Sequence, residues 1–388
     1  MNKKLSKELR AIVKWPGGKI SEAKKILPLL PKYGGRFIDP FVGGGAIFFA
    51  SGAKKGAISD LSTELIALYK YIQIKDRFFF IAIHRLEEIR SSLINLIDGD
   101  TTNFLAWFND FVLGKISRDE IKIRVTEWVK SNRYRLVDFT VDGIEKNIFA
   151  NEVTKNLIRK LIRMKTLSTE NGGLLDDDII DNFETAIHSA FYMYVRHLYN
   201  FSHELNLSPA LTIATFYYIR EFCYSSMFRY NKDGNFNVPY GGMAYNTKNF
   251  HSKILRTQQT IYQDYLGHTE IYNCDFDDFL KKVNPRQDDF IFLDPPYDSN
   301  FSTYDGNSFG KIDHERLAHF MSNTTANFMM VIKNTDFVMN LYGNIPNTQV
   351  QVFDKKYMVS FQNRNDKQAK HLIITNYPLP VPISLNMI

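Results

Sequence analysis

The sequence predicts an α/β protein with a largely parallel central sheet and a mostly helical insertion. At 388 residues and 44% hydrophobic composition, the chain is long enough for more than one domain. In residues 1–75, and again after residue 216, short apolar strands alternate with helical segments, a pattern typical of parallel sheets. Residues 76–215 instead carry apolar side chains at helical spacing, as in residues 121–129 and 153–162.

Apolar runs bounded by turn residues place the individual elements. In the first α/β region, strands are expected over residues 36–40 and 56–60, and helices over 46–53 and from Ser62 onward. In the second, strands are expected over residues 289–293, 328–333, 348–353 and 370–376. Ahead of these strands, Asp233-Gly234 is flanked by strand-like residues and predicts a β-hairpin.

Composition excludes several classes of protein. No stretch approaches the roughly 20 uninterrupted apolar residues that span a bilayer. The basic N-terminus lacks the apolar stretch and cleavage site of a signal peptide. The two cysteines, Cys223 and Cys274, form no CxxC motif or Cys/His cluster, which argues against a disulfide framework and a structural zinc site. We therefore expect a cytoplasmic protein with no membrane partner and no metal.

The net charge of +6 indicates a mild preference for polyanions. Residues 76–215 hold 17 Lys and Arg against 20 Asp and Glu, so the excess positive charge lies in the regions that flank them. One helix of the insertion has a basic side formed by Lys155, Arg159, Lys160, Arg163 and Lys165. This side is either a solvated helix face or a surface that contacts phosphates.

The first motif with chemical potential is DPFVGGGA, at residues 39–46. Its strand ends at Asp39, and the glycines Gly43 to Gly45 then let the backbone approach a ligand closely. The next strand ends at Asp60, where a doubly wound fold places a carboxylate for ribose hydroxyls. The dinucleotide pattern GxGxxG fails at Phe48, and the phosphate loop GxxxxGK[ST] does not occur. The turn is either purely structural or binds a nucleoside ligand without a pyrophosphate, such as S-adenosylmethionine.

The second motif is DPPY, at residues 294–297, directly after an expected strand. Two prolines end a sheet ladder and stiffen the backbone. The Asp294 carboxylate and the Pro295 carbonyl could accept both N–H groups of an exocyclic amine, while Tyr297 stacks on the base. The motif is therefore either a strand stop with a packed tyrosine or a site for the amine of a nucleobase.

Two further segments could contact a purine or DNA. KWPGGK, at residues 14–19, places Trp15 and Lys19 around a flexible Pro-Gly-Gly. Near the expected hairpin, Arg229 is of the residue type that most often contacts guanine in the major groove. Tyr224, just before it, could wedge into a base step. On their own, these segments are equally compatible with an ordinary loop, an exposed arginine and a core tyrosine.

Taken together and in this order, these residues resemble the DNA adenine methyltransferase (Dam) family of N6-adenine methyltransferases. The similarity covers residues 12–75 and 216–377. It rests on KWPGGK, DPFVGGGA, the strand end at Asp60, RYNKDGNFNVPYGG (229–242), CDFDDF (274–279) and DPPY.

The resemblance implies a Rossmann-like S-adenosylmethionine-dependent methyltransferase fold. Its catalytic domain would comprise residues 1–75 and 251–388. Residues 76–215 would be the mostly helical insertion, and residues 216–250 a helix and β-hairpin for DNA recognition.

The resemblance also implies roles for individual residues. S-adenosylmethionine, with S-adenosylhomocysteine as the product, would be bound by Trp15, Lys19, Asp39, Gly43, Gly45, Asp60, Asp275 and Asp294. The amine of an adenine flipped out of the duplex would be held by Asp294, Pro295, Pro296 and Tyr297. Double-stranded DNA would be contacted by Tyr224, Ser225, Met227 and Arg229. Ser225, Ser226 and Met227 stand where many members carry Asn-Gly-Leu, so the GATC target of the best-known members is not carried over.

The expected function is site-specific methylation of adenine N6 in double-stranded DNA (EC 2.1.1.72), for restriction-modification or epigenetic marking. Such an enzyme would be prokaryotic or phage-encoded and nucleoid-associated, and a cognate restriction endonuclease is a candidate partner. One alternative is an exocyclic-amine methyltransferase for cytosine N4 or RNA, whose sites often begin with Ser or Asn. Another is a non-catalytic DNA-binding module that keeps the fold.

Overall fold

The protein is described by a computed structural model that covers residues 9–296, 303–304, 307–356 and 368–379. The chain forms two compact units. Residues 1–75 and 257–388, from the two ends of the chain, form the sheet unit, and residues 76–256 form the helical unit. The assignment of residues 76–215 to an insertion and 216–250 to DNA recognition remains a prediction.

The strands, numbered along the chain, are β1 (Phe37–Asp39), β2 (Gly56–Ser59), β3 (Thr269–Tyr272), β4 (Phe290–Leu293), β5 (Thr303–Tyr304), β6 (Asn307–Ser308), β7 (Asn327–Lys333), β8 (Gln349–Lys356) and β9 (Gln368–Thr375). Seven of them form one sheet in the order β3-β2-β1-β4-β7-β9-β8, and β5 and β6 form a separate ladder. The first five strands of this order are parallel, and β9 runs antiparallel between β7 and β8. The expected largely parallel sheet is therefore confirmed.

The helices, also numbered along the chain, are α1 (Ala23–Ile26), α2 (Ala46–Ser51), α3 (Thr63–Gln73), α4 (Arg77–Ser92), α5 (Thr101–Val112), α6 (Arg118–Ser131), α7 (Arg133–Asp138), α8 (Lys146–Asn171), α9 (Asp176–Asn200), α10 (Pro209–Phe222), α11 (Phe250–Thr257), α12 (Thr260–Gly267), α13 (Phe276–Val283), α14 (Lys311–Asn323) and α15 (Asp336–Tyr342). None of the helices in the described part of the chain is long and apolar enough to cross a membrane.

The centre of the sheet is buried because its strands are continuously apolar. Every residue of β1, β2 and β4 is buried, as expected for parallel strands that are covered on both faces. Ile38, Ile291 and Phe328 from neighbouring strands belong to one core cluster, onto which α13 and α14 pack. This core fixes the ends of the strands, and the candidate site residues follow those ends.

The helical unit is organised around three long helices. Helices α8 and α9 pack along each other, and α10 packs against both α9 and α4. The start of α10 is defined by Ser208, whose side chain accepts a hydrogen bond from Leu211 N–H, and by Pro209 in the first turn. Residues 224–240 follow α10 after Cys223; because they include the predicted DNA-contacting residues, they are called the recognition segment below.

Three details differ from the sequence-based expectations. Strand β3 was not expected, because it lies at an edge of the sheet and only Thr269 of its residues is buried. The turn at Asp233-Gly234 reverses the chain as expected, but its arms meet in isolated bridges, such as Tyr230 with Phe236, rather than in continuous strands. On the basic side of α8, Lys165 donates to the Phe111 carbonyl and lies over its ring instead of facing phosphates or solvent freely.

Candidate active site

The carboxyl ends of four parallel strands converge on one edge of the sheet. Strand β1 lies between β2 and β4, so the strand order reverses between β1 and β4. Ligands of open α/β sheets bind in the crevice at such a reversal, outside the carboxyl ends of the strands. Asp39 ends β1, Asp294 directly follows β4, Asp60 follows β2, and Asp275 lies shortly after β3. The topology therefore brings together four carboxylates that are far apart in the sequence.

The glycine turn after β1 is packed so closely that larger residues are excluded. Gly43 and Gly45 have φ angles of +48° and +73°, which L-residues with side chains rarely adopt. A Cβ atom on Gly43 would lie 2.7 Å from Cδ1 of Trp15, and one on Gly45 would lie 2.5 Å from the hydroxyl of Tyr69. Tyr69 also donates a hydrogen bond of 3.0 Å to the Gly43 carbonyl. The turn is therefore buried, with Trp15 and Tyr69 packed against it.

Asp60 is held at the end of β2 by two backbone donors. Its Oδ2 accepts from Gly43 N–H at 3.1 Å, and its Oδ1 accepts from Ser62 N–H at 2.9 Å. The side chain of Asn273 donates to the Asp60 carbonyl and ties this strand end to β3. A carboxylate is an acceptor of several hydrogen bonds, which suits Asp60 to the hydroxyls of a ligand.

Asp275 begins α13 and is bound by an arginine that the sequence analysis did not predict. Its carboxylate accepts from Asp277 N–H at 2.9 Å and from the guanidinium of Arg316. Arg316 also binds Asp313 and lies 4.7 Å from the centre of the Phe276 ring. Phe276 in turn packs against Phe41 and Phe309. Asp275 is therefore a fixed carboxylate beside a partly buried aromatic cluster.

Asp294 of the DPPY motif is fixed by Lys19 of the KWPGGK motif. Lys19 Nζ lies 2.5 Å and 2.6 Å from the two carboxylate oxygens of Asp294 and 3.0 Å from the Gly17 carbonyl. Lys19 is only 2% exposed, whereas the Asp294 side chain is 18% exposed. The ammonium group is thus enclosed by protein, while part of the carboxylate faces the crevice.

Asp39 is a buried carboxyl within this group of charges. Burial raises its pKa well above the ordinary value, although Phe41 N–H donates to it at 3.0 Å and lowers the pKa. The nearby charges of Asp294 and Asp60 raise the pKa further, and that of Lys19 lowers it. The charges of Asp294, Asp60 and Lys19 thus all influence the pKa of Asp39, so the four groups lie close together.

The structure thus brings the candidate cofactor residues to one edge of the sheet. Pro295 is buried and Pro296 half-buried, directly after Asp294, whereas Tyr297 lies outside the described residues. Tyr69 and Arg316 were missed by the sequence analysis. The apolar or helical sequence around them carries no motif that predicts a site. Phe276 was noted only as part of the CDFDDF motif.

The candidate DNA-contacting residues all belong to the helical unit. Tyr224 is 43% exposed, and Ser225 and Met227 are half-buried beside it. Ser225 and Ser226 both have left-handed φ angles, of 51° and 54°. Arg229 is exposed and donates from Nη2 to the Asn237 carbonyl at 2.6 Å across the turn. This segment presents an aromatic ring and a guanidinium group on an irregular loop.

The site suits a nucleoside ligand, and the described residues hold no group of three or more His, Cys, Asp or Glu that could bind a metal ion. A glycine turn at a strand reversal, with carboxylates after β2 and β3, is typical of α/β proteins that bind a nucleotide-like ligand. Residues 15–100 and 146–361 match the family described as D12 class N6 adenine-specific DNA methyltransferase, and the chain belongs to this family. It is an adenine-specific DNA methyltransferase, and enzymes of this class use S-adenosylmethionine.

Several curated proteins are similar to this chain. The Type II methyltransferase M.CviBI of Paramecium bursaria Chlorella virus NC1A is 27% identical over 374 residues, which are 95% of this chain and 100% of that protein. The Type II methyltransferase M.MjaIII of Methanocaldococcus jannaschii is 24% identical over 392 residues, again 95% and 100%. A DNA adenine methylase of Haemophilus influenzae is 32% identical over 134 residues, 33% of this chain and 42% of that protein.

Proposed function

We propose that this protein methylates adenine N6 at specific sites in double-stranded DNA, the reaction of EC 2.1.1.72, through the crevice between β1 and β4. The observation that carries the proposal is the position of Asp294. This carboxylate directly follows β4, is fixed by Lys19 and remains partly exposed to the crevice. It is therefore a preorganised acceptor beside the glycine turn.

Residues of the sheet unit would hold S-adenosylmethionine, which supplies the methyl group, and would then release S-adenosylhomocysteine. Asp60 would accept hydrogen bonds from the ribose hydroxyls, since a carboxylate is a multiple acceptor. The glycine turn, with Asp39 and Trp15, would enclose the methionine moiety. Asp275, beside the aromatic cluster, would accept a hydrogen bond from the adenine amine of the cofactor. The support for these roles is the convergence of the residues on one strand reversal.

The target amine would be oriented by Asp294 and by the carbonyl of Pro295. Two acceptors bind the two N–H groups of an exocyclic amine and direct its lone pair away from the ring, which makes the nitrogen a better nucleophile. Lys19 holds the Asp294 carboxylate in one orientation, so little reorganisation is needed during reaction. Tyr297 would stack on the flipped base.

Tyr224, Ser225, Met227 and Arg229 would contact the duplex. The exposure of the Tyr224 ring suits insertion into a base step, and the guanidinium of Arg229 suits guanine. The contact of Arg229 with Asn237 holds it extended along the turn. A cognate restriction endonuclease and a cytoplasmic location remain predictions. Methylation-sensitive sequencing of DNA from a host that expresses the chain identifies the recognition sequence.

The test is transfer of tritium from labelled S-adenosylmethionine to adenine-containing duplex DNA. We expect transfer by the wild-type protein and a loss of at least a hundredfold in kcat for Asp294→Ala, because the amine loses its charged acceptor. Circular dichroism and thermal unfolding serve as the controls for folding of the variant. Undiminished transfer by Asp294→Ala contradicts the proposed role of the DPPY motif.

Two alternative functions can be tested with the same purified protein. Mass spectrometry of the digested product distinguishes N6-methyladenine from N4-methylcytosine and DNA from RNA. Because the motif begins with Asp rather than Ser or Asn, we expect N6-methyladenine in DNA. A non-catalytic DNA-binding module would bind no S-adenosylhomocysteine in the calorimeter.

A further inference from the structure

The recognition segment, residues 224–240, exposes a row of backbone groups along one edge. Across its turn, Asn231 N–H donates to the Asn235 carbonyl, and Asn237 N–H donates to the Arg229 carbonyl. These bonds flank the bridge between Tyr230 and Phe236. In such an antiparallel pair the N–H and C=O groups of the residue between the bonds point away from the partner arm. The backbone of Phe236 is therefore directed outward, as an unprotected strand edge would be.

Helix α9 covers this edge with side chains spaced by four residues. The amide of Asn200 pairs with both backbone groups of Phe236, accepting from N–H at 2.9 Å and donating to the carbonyl at 3.1 Å. Arg196 Nη1 donates to the Val238 carbonyl at 3.0 Å, and the Tyr192 hydroxyl donates to the same carbonyl at 2.8 Å. Helix α9 thus takes the place of a third strand.

The spacing explains why a helix can do this. Four residues of an α-helix advance by about 6 Å, and two residues of a strand advance by about 6.6 Å. Side chains at i and i+4 therefore match outward backbone groups at j and j+2. Asn200 and Arg196 meet Phe236 and Val238 in this register.

Helix α10 anchors the other part of the segment through Arg220. This side chain is fully buried, and its guanidinium donates to the Ser226 carbonyl at 2.9 Å and to the Met227 carbonyl at 2.6 Å. It also lies 4.3 Å from the centre of the Phe228 ring. Burying a charge is unfavourable unless hydrogen bonds compensate it. Here the compensating carbonyls belong to the loop with left-handed Ser225 and Ser226.

We infer that Tyr192, Arg196, Asn200 and Arg220 are positioning residues that fix the recognition segment for base-specific contact with DNA. These side chains donate to backbone carbonyls of the segment, and Asn200 also accepts from the Phe236 N–H. They therefore set the course of the main chain without using the side chains of Tyr224 or Arg229. The inference rests on the proposed DNA-contacting role of this segment, and it gives the helical unit a function in sequence discrimination.

The first measurement needs no DNA. Amide hydrogen exchange of the full-length protein is compared for wild type, Asn200→Ala and the matched control Asn182→Ala. Asn182 lies on the same helix and donates only within that helix, to the Asp178 carbonyl at 2.7 Å. We expect exchange at Phe236 to rise about five- to thirtyfold in Asn200→Ala, as loss of one or two hydrogen bonds predicts, and to stay unchanged in the control. Unchanged exchange in Asn200→Ala overturns the inference.

The second measurement is sequence discrimination. Once sequencing has identified the methylated site of the wild-type enzyme, kcat/KM is measured for a duplex with that site and for one with a single substituted base pair. We expect Asn200→Ala to lower the ratio of these values about tenfold, mainly through a higher KM for the preferred duplex. Affinity for S-adenosylhomocysteine is expected to stay within twofold. A raised exchange rate at Phe236 with an unchanged ratio also overturns the inference.

Arg220→Lys provides an independent test that keeps the charge. A lysine ammonium lacks the planar set of N–H donors with which the guanidinium binds two carbonyls at once. We therefore expect faster amide exchange at Met227 and weaker sequence discrimination. Unchanged exchange at Met227 and unchanged discrimination in Arg220→Lys overturn the role of Arg220. If the wild-type protein transfers no methyl group, the proposed function is wrong. The hydrogen-exchange measurement still decides whether the positioning residues hold the recognition segment.

Discussion

At the scale of single residues, the contact between Lys19 and Asp294 links two motifs that lie 275 positions apart. The sequence analysis assigned both residues to the cofactor site, but their direct contact depends on the sheet order and was not foreseeable from spacing. A buried ammonium that holds a carboxylate is strongly coupled to it, because removal of either partner leaves a charge without compensation. Lys19 therefore acts on the amine-binding carboxylate, in addition to any contact with the cofactor.

Lys19→Met is expected to lower kcat by about a hundredfold, in the range found when one preorganised electrostatic contact is lost. The reason is that the Asp294 carboxylate loses both its orientation and the positive charge that pairs with it. Single-turnover methyl transfer measures the effect. Lys24→Met, which removes an exposed charge from α1 in the same unit, is the control. Equal rates for both variants would contradict the role of Lys19.

The buried carboxyl of Asp39 predicts a dependence of stability on pH. Burial raises its pKa, so the folded chain binds the proton more tightly than the unfolded chain, whose Asp pKa is about 3.9. Stability therefore falls as the pH rises from about 4 through the raised pKa. Asp39→Asn removes this loss, at about 1.4 kcal/mol for each unit by which the pKa is raised. The free energy of unfolding of the variant, measured with urea, should exceed that of the wild type by more at pH 8 than at pH 4. An equal difference between the two proteins at both pH values would contradict this prediction.

At the scale of elements, the glycine turn shows what local sequence can and cannot indicate. Its position between a strand and a helix was predictable from Asp39, the three glycines and the apolar run that follows. The packing of Trp15 and Tyr69 against it was not, because Tyr69 lies on α3 and Trp15 in the N-terminal segment. Strand β3 escaped detection for a related reason: an edge strand need not be apolar.

Gly45→Ala should destabilise the turn through both strain and collision. A left-handed alanine costs about 1–2 kcal/mol, and its Cβ would also lie 2.5 Å from the Tyr69 hydroxyl. We expect at least tenfold weaker binding of S-adenosylhomocysteine by calorimetry. Gly114→Ala is the control for backbone strain without collision. Gly114 has φ +71°, and no atom lies within 4 Å of the added Cβ. Retained affinity in Gly45→Ala would show that the turn does not hold the cofactor.

The recognition segment illustrates the limit of hairpin prediction. Asp233-Gly234 correctly indicated a reversal, because Gly234 takes the left-handed conformation, with φ +77°. The arms do not form regular strands because side chains from α9 and α10 bind their backbone instead of a further strand. Nothing in residues 228–238 alone reveals Asn200 or Arg220 as partners.

At the scale of the whole molecule, the net charge of +6 predicts salt-dependent binding of DNA. Each cation that neutralises a phosphate releases a counterion, so affinity falls as salt rises. We expect the affinity for a non-specific duplex, measured by fluorescence anisotropy, to fall at least tenfold between about 50 and 200 mM salt. Affinity for S-adenosylhomocysteine should change little over the same range. A salt-independent DNA affinity would contradict a phosphate-contacting surface.

The pairing of β1 with β4 also has a consequence for biosynthesis. Phe37 lies opposite Phe290, and Arg36 bonds to Asp289, 253 positions further on. At about 5–20 residues per second, a ribosome needs many seconds to supply the missing neighbour of β1. Throughout this interval the edge of β1 that later pairs with β4 is unpaired, and an unpaired strand edge can pair with a wrong strand. A chain terminated before residue 290 contains all of the helical unit but neither β4 nor Asp294, so premature termination yields a product without methylation activity.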